Sequence, residues 1–194
     1  MHKQILLPLL LALSCATHMA QAADSKGLFA VDGMGNMTCA RFAELPSDSR
    51  DFWGAIGWME GYITGFNQLR SDTYDVTPWQ TTEVLASALR AGCADHPEVK
   101  LVAALNAMIK QLAPDRLTDA TPIRRLDDGT NAVFVYETVL AHMRDKLHDQ
   151  GYLAANTALD DQALFMALGS YQKDQGLAVT HLPDLPTVAR ILRP

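Results

Sequence analysis

The chain has 194 residues, of which 48% are hydrophobic and 20% charged, so it is long enough for one ordinary domain or two small ones and too apolar to be disordered throughout. Its formal charge is −6, and its longest basic run is Arg124-Arg125. This charge excludes a typical nucleic-acid-binding protein, which carries a basic surface.

The N-terminus has the three parts of a secretory signal peptide. A short polar start precedes an apolar stretch at residues 5–16 and an A-x-A cleavage site at residues 20–22. The apolar stretch, about 12 residues, is too short to span a bilayer. We therefore predict a signal peptide at residues 1–22 and a periplasmic location, with lipoprotein processing at Cys15 as the alternative.

Cleavage at this site would leave two cysteines, Cys39 and Cys93, which lie 54 residues apart. An even number of cysteines in an exported chain predicts one disulfide, worth roughly 4 kcal/mol for a loop of this length. Two separate core thiols are the alternative. A metal site is disfavoured because there is no C-x-x-C motif and only four histidines remain after cleavage. We predict no metal and no cofactor.

The mature chain should begin with an extended, glycine-rich segment at residues 23–38. Thr38 can then cap a short helix that ends before Pro46.

The stretch at residues 51–68 has the pattern of a core-facing amphipathic helix. Its inward stripe consists of Phe52, Ile56, Met59, Ile63 and Phe66. Gly57, Gly61 and Gly65 recur every four residues, and each costs about 1 kcal/mol of helix propensity relative to alanine. We interpret them as a strip along which another backbone crosses closely.

Two further helices should follow. Thr77 and Pro78 match a capping box with proline at the first helical position, and Cys93 would point inward from that helix. Asp95 and Glu98 are spaced as a second capping box, before an apolar helix that stops at Pro114.

Helical periodicity disappears at residues 114–131, which we interpret as a linker between two modules, residues 23–113 and residues 132–194. A long loop within one domain is the alternative.

The last module shows three helical segments. Its first stripe consists of Val133, Tyr136, Leu140, Met143 and Leu147, and ends at Gly151. A second helix at residues 160–175 stops at Gly176, and a third starts at Asp184. The predicted fold class is all-α, with two small helical modules, the first stapled by a disulfide and the second a three-helix bundle.

The first module resembles the HdeA/HdeB family of periplasmic acid-stress chaperones. The matching runs are Met37-Thr38-Cys39-Ala40-Arg41-Phe42, Gly57-Trp58-Met59-Glu60-Gly61-Tyr62 and Cys93-Ala94-Asp95-His96-Pro97. The resemblance implies an all-helical fold in which Cys39 is bonded to Cys93. The chain is also similar to the Rap/Tai immunity proteins, which neutralise type VI secretion amidases. The similarity lies in the Gly-Tyr-Ile-x-Gly run, the cysteine-bearing helix and the His-Pro pair. That family usually carries more cysteines.

The last module resembles the peptidoglycan-binding domain of cell-wall hydrolases. The matching runs are residues 143–152, residues 167–177 and residues 183–187. The sequence departs from that family at residues 156–161, which replace its Asp-Gly-x-Phe-Gly turn, and at His181, which replaces a glycine. The candidate glycan contacts are Tyr152, Tyr171, Gln172 and Gln175, because exposed aromatic rings stack on sugars and amides bind their substituents. Burial of both tyrosines in the core of so small a module is the alternative.

The sequence has no common catalytic motif, so we predict that the protein is not an enzyme. Glu60 could be a buried carboxylate with a raised pKa, but the preferred interpretation is that it faces a polar seam or pairs with a cation.

Two functions follow as hypotheses. In the first, the last module associates with peptidoglycan and the first binds an unidentified periplasmic protein as client or partner, through the aromatic residues Trp53, Trp58, Tyr62 and Phe66. In the second, the protein is an immunity protein that inhibits a cell-wall amidase. The sequence is also compatible with a homodimer.

Overall fold

The computed structural model describes residue 24, residues 26–154 and residues 160–192. The chain divides into two compact units, Met1–Val31 and Asp32–Pro194. The predicted signal peptide and Cys15 lie outside the described residues, as do residues 155–159, which include most of the altered turn. In the described part of the first unit, Asp24 accepts hydrogen bonds from the backbone N–H groups of Lys26 and Leu28.

The second unit begins with a 3-10 turn at Gly33–Asn36, followed by helices α1 (Cys39–Glu44) and α2 (Arg50–Leu69). Thr38 Oγ1 accepts a hydrogen bond from a backbone N–H in the first turn of α1, and Ser49 Oγ does the same for α2. Both predicted helices are confirmed to within a residue at each end. The buried face of α2 consists of Phe52, Ala55, Ile56, Met59 and Ile63.

Helix α3 (Thr82–Asp95) starts later than its predicted capping box. The N-cap is Thr81, whose hydroxyl accepts a hydrogen bond from the N–H of Val84. The prediction at Thr77 was wrong, since residues 78–81 are not helical. The N–H and the hydroxyl of Thr77 both donate to Asp75 Oδ1, so Thr77 belongs to the turn that precedes the helix.

Helix α4 (Leu101–Leu112) also starts after its predicted cap at Asp95. The preceding residues pair instead with the chain before α1, since Cys39 N–H donates to Val99 O and Leu101 N–H donates to Met37 O. This short bridge keeps the backbone extended through Lys100, which caps α4 without a side-chain hydrogen bond.

The predicted disulfide is confirmed. Cys39 at the start of α1 is bonded to Cys93 in the last turn of α3, and both residues are fully buried. They belong to a first hydrophobic cluster formed by buried side chains between Met37 and Leu112. The disulfide therefore joins two helices within a packed core.

A two-stranded antiparallel sheet was not predicted. Strand β1 (Ile123–Asp127) lies in the predicted linker, and strand β2 (Ala132–Tyr136) contains Val133 and Tyr136, which were predicted to lie on a helix. In the turn between them, Gly129 has φ +88°. Asp128 Oδ1 accepts hydrogen bonds from the backbone N–H groups of Thr130 and Asn131. The fold is therefore mostly helical with a small sheet, and not purely all-α.

Three helices complete the chain: α5 (Glu137–Asp149), α6 (Asp161–Asp174) and α7 (Leu185–Leu192). Gly151 and Gly176 follow the first two with φ +82° and +67°, as expected for C-terminal stops. Buried residues of the hairpin and these helices, from Leu126 to Ile191, form a second hydrophobic cluster.

Among the described residues, no helix combines the length and the apolar character that crossing a membrane requires.

Candidate functional site

The four predicted partner-binding residues lie on α2 with unequal exposure. Trp53 is 56% exposed, whereas Trp58, Tyr62 and Phe66 are half-buried and pack against the first cluster. Trp58 stacks on Tyr62 with ring centroids 5.2 Å apart, and the Tyr62 hydroxyl donates to Asn106 Oδ1 of α4 at 2.8 Å. The aromatic side of α2 is thus partly open to solvent and partly used to hold α4.

Trp53 stands at a cleft between the first turns of α2 and helix α3, with a volume of about 350 Å³. Phe52, Ile56 and Ala86 give the cleft an apolar floor, and Ser47, Thr82, Glu83 and Ser87 add polar groups. Such a cleft can accept an apolar side chain of another protein while its rim bonds to the backbone.

Arg90 forms one wall of this cleft and was not identified from the sequence. Its guanidinium lies 4.8 Å from the ring centroid of Phe52 and donates to Leu45 O at 2.7 Å. It therefore fixes the rings under Trp53 and ties α3 to the chain after α1. The sequence pattern around Arg90, which follows the buried Leu89, could not predict these contacts, because their partners lie about 45 residues earlier in the chain.

The interpretation of the glycine strip was wrong. Around Gly57, Gly61 and Gly65, no heavy atom of the described residues, apart from the neighbouring helix backbone, lies within 4 Å of the position a Cβ would take. No other backbone of the described residues crosses α2 there. The strip faces open space.

Glu60 is exposed and accepts a hydrogen bond from Thr82 Oγ1 at 2.6 Å. It joins α2 to the first turn of α3 as part of a polar seam. The alternative of a buried general acid is excluded by this exposure.

The four candidate glycan contacts of the last module also differ in exposure. Tyr171 is 2% exposed and Gln172 is fully buried, whereas Gln175 is exposed and Tyr152 half-buried. Tyr152 packs edge-on against Tyr171 and donates its hydroxyl to Asp174 at 3.1 Å. Two of the four side chains, Tyr152 and Gln175, are thus in a position to meet a ligand.

Gln172 is the centre of an internal hydrogen-bond network. The two hydrogens of its Nε2 are shared among three acceptors at 2.9 to 3.0 Å, Thr187 Oγ1, Leu182 O and Thr180 Oγ1. Its Oε1 accepts from the backbone N–H groups of Thr180 and His181. The amide therefore holds the loop between α6 and α7 in place.

His181 occupies that loop with φ +58°, a left-handed conformation in which glycine is more common. Its ring lies against Gly169 of α6, and its Nδ1 is 3.0 Å from Phe165 O. A Cβ at Gly169 would overlap the ring. His181 thus has its own contact surface on α6.

The described residues contain no cluster of three or more His, Cys, Asp and Glu side chains that could hold a metal ion.

The sequence model of the HdeA/HdeB family matches residues 5–103, just over half of the chain. The matched part includes α1, α2, α3, both bonded cysteines and the start of α4. Neither the curated proteins nor the solved structures include a match.

Proposed function

Because the chain belongs to the HdeA/HdeB family of periplasmic acid-stress chaperones, we propose that it binds unfolding periplasmic proteins in acid through the cleft beside Trp53 and the aromatic side of α2. The observation that carries this proposal is the exposure of Trp53 over an apolar cleft within the disulfide-bonded module. A role of this kind requires apolar surface and no catalytic group.

Acid supplies the trigger in this proposal. Removal of the predicted signal peptide takes away Lys3 and leaves 22 acidic and 15 basic residues, not counting histidine. Protonation of the carboxylates leaves the cations to repel one another, which loosens packing and exposes apolar surface. Ion pairs between elements, such as the 3.1 Å pair of Arg41 on α1 with Asp51 on α2, are lost in the same step.

Suppression of client aggregation tests this role. The protein is expected to protect a client at about pH 3 but not at about pH 7. Trp53→Ala should raise the amount needed for equal protection by at least about twofold, because a large aromatic contact is lost. Phe134→Ala is the matched control, since Phe134 is 69% exposed but lies on β2, outside the cleft.

Equal protection at both pH values would contradict the acid trigger. Equal loss in the two variants would contradict the assignment to the cleft.

We further propose that the last module attaches the protein to peptidoglycan, with Tyr152 and Gln175 as the contacts. The succession of three helices α5, α6 and α7, with their glycine stops, supports the resemblance to wall-binding domains.

The test is co-sedimentation of the whole protein with purified sacculi. Gln175→Ala should reduce the pelleted fraction, and Gln162→Ala, an exposed glutamine on the same helix, should not. If the unaltered protein does not pellet, the attachment is refuted and the inhibitor hypothesis gains.

A further inference from the structure

A second cleft, of about 460 Å³, lies at the C-terminal end of α2 and uses none of the residues assigned above. Its volume falls within the usual range of small-molecule sites, about 300–1,000 Å³. The lining comes from Thr64, Asn67 and Gln68 of α2, residues 73–75 of the following loop, and Tyr136 at the end of β2.

Two tyrosines give the cleft an aromatic wall. The rings of Tyr74 and Tyr136 meet edge to face, with centroids 6.1 Å apart. Tyr74 is 43% exposed and so offers ring surface to a ligand. Burial, and after it the negative charge of Asp75, raises the pKa of Tyr136 to about 12. A hydrogen bond also joins the Tyr136 hydroxyl to Asp75, so this hydroxyl is part of the wall and not a free donor for a ligand.

Two amides add hydrogen-bond donors. Asn67 Oδ1 accepts from the N–H of Val76 at 3.1 Å, so the NH₂ side of this amide is left for a ligand. The amide of Gln68 has no hydrogen-bond partner among the described residues and is exposed. These groups can donate to a carbonyl or hydroxyl oxygen placed over the tyrosines.

The charge of the lining narrows the ligand class. Asp75 is the charged residue in the lining, which contains no lysine, arginine or histidine. A phosphate or carboxylate would face this carboxylate without a cation to neutralise it. A neutral ligand rich in hydroxyl groups would instead donate to the carboxylate.

We propose that this cleft binds a neutral, N-acetylated saccharide. The apolar face of the sugar ring would lie on Tyr74, its hydroxyl groups would donate to Asp75, and the acetamido oxygen would accept from Gln68 or Asn67. The proposal goes beyond the wall attachment proposed for Tyr152 and Gln175, and it depends on the periplasmic location only for access to such sugars. A soluble-sugar titration tests it without sacculi, so the two proposals fail separately.

The experiment is a titration of the isotope-labelled whole protein with chitotetraose, followed by NMR of its backbone amides. We expect saturating shifts at Gln68 and residues 73–75, with an affinity on the order of 1 mM because the cleft is shallow. Cellotetraose, which lacks acetamido groups, should bind at least about fivefold more weakly. Tyr74→Ala and Gln68→Ala should each weaken binding by about fivefold or more, and Trp53→Ala should leave it unchanged.

Each contrary result overturns part of the proposal. If chitotetraose causes no shifts around Tyr74, the cleft is not a saccharide site. If ethylammonium chloride causes shifts there and the sugars do not, the cleft binds a cationic ligand and the proposal is overturned. Equal binding of the two sugars overturns acetamido recognition. Unchanged binding in the Tyr74→Ala variant overturns the stacking geometry.

Discussion

Gln172 combines full burial with five hydrogen bonds, two of them from backbone N–H groups of the loop between α6 and α7. Replacing it with an apolar side chain of similar size removes these bonds, including those to the buried Leu182 O and Thr187 Oγ1. We expect Gln172→Leu to lower the free energy of unfolding by about 2–4 kcal/mol. Urea denaturation measures this loss.

Gln175→Leu is the control for this variant, because Gln175 is exposed at the end of the same helix. Its effect should stay within about 0.5 kcal/mol. If both variants cost equally little, the network around Gln172 does not stabilise the fold.

The position of Gln172 could have been predicted more fully from the sequence. It lies four residues after Leu168 and eight after Leu164, which places it on the inward face of α6. That spacing indicates burial, and a buried glutamine needs internal partners. The partners themselves, Thr180 and Thr187, could not be predicted because they depend on how the loop turns back onto α6.

At the scale of the element, the glycines of α2 give a prediction opposite to their sequence interpretation. Since open space surrounds Gly61, Gly61→Ala gains helix propensity without a clash. We expect it to raise the free energy of unfolding by about 0.5–1 kcal/mol.

Gly169→Ala on α6 is the opposite case, because a Cβ there would overlap the ring of His181 and disturb its contact with Phe165 O. It should cost about 1–3 kcal/mol. Thermal or urea denaturation of both variants checks the two signs. A destabilised Gly61→Ala variant would mean that another chain or segment covers α2.

The helices were predictable and the hairpin was not, for a physical reason. An apolar stripe at helical spacing extends over about four turns in α2, whereas β1 presents only Ile123 and Leu126 as apolar residues among charged ones. Val133 and Tyr136 match the helical spacing of α5 and were assigned to it. The sequence contains a hairpin turn signal, Asp128-Gly129. The strands on either side of it form a sheet in which Leu126 pairs with Val133.

At the scale of the whole molecule, the disulfide joins helices that are distant in the chain. Because Cys39 and Cys93 lie 54 residues apart, the bond strongly restricts the unfolded chain. Reduction, or the double change Cys39→Ser and Cys93→Ser, should lower the free energy of unfolding by roughly 4 kcal/mol. Urea denaturation with and without reductant measures it. A loss below about 1 kcal/mol would show that packing of α1 on α3 suffices without the bond.

The pH dependence of stability can be traced to Asp72, which joins the loop after α2 to the segment after α4. Partial desolvation raises the pKa of Asp72. The nearby guanidinium groups of Arg70 and Arg116 together lower it by more, so the pKa lies below its usual range. Arg116 Nη2 lies 2.9 Å from the carboxylate, and Arg116 Nε also donates to the backbone oxygen of Asp72. The folded state therefore favours the ionised carboxylate.

A lowered pKa in the folded state fixes the sign of the effect. The contribution of Asp72 to stability is present above the ordinary aspartate pKa of 3.8 and is lost as the pH falls through the lower, folded value. Asp72→Asn should therefore be less stable than the unaltered protein at about pH 7, and the difference should shrink towards about pH 3. Asp145→Asn, which changes an exposed carboxylate without an ion pair among the described residues, should lack this trend. Denaturation at several pH values distinguishes the two variants. A constant difference across that range would show that Asp72 acts through its shape and hydrogen bonds, and the acid response would then have to come from the summed repulsion of the cations.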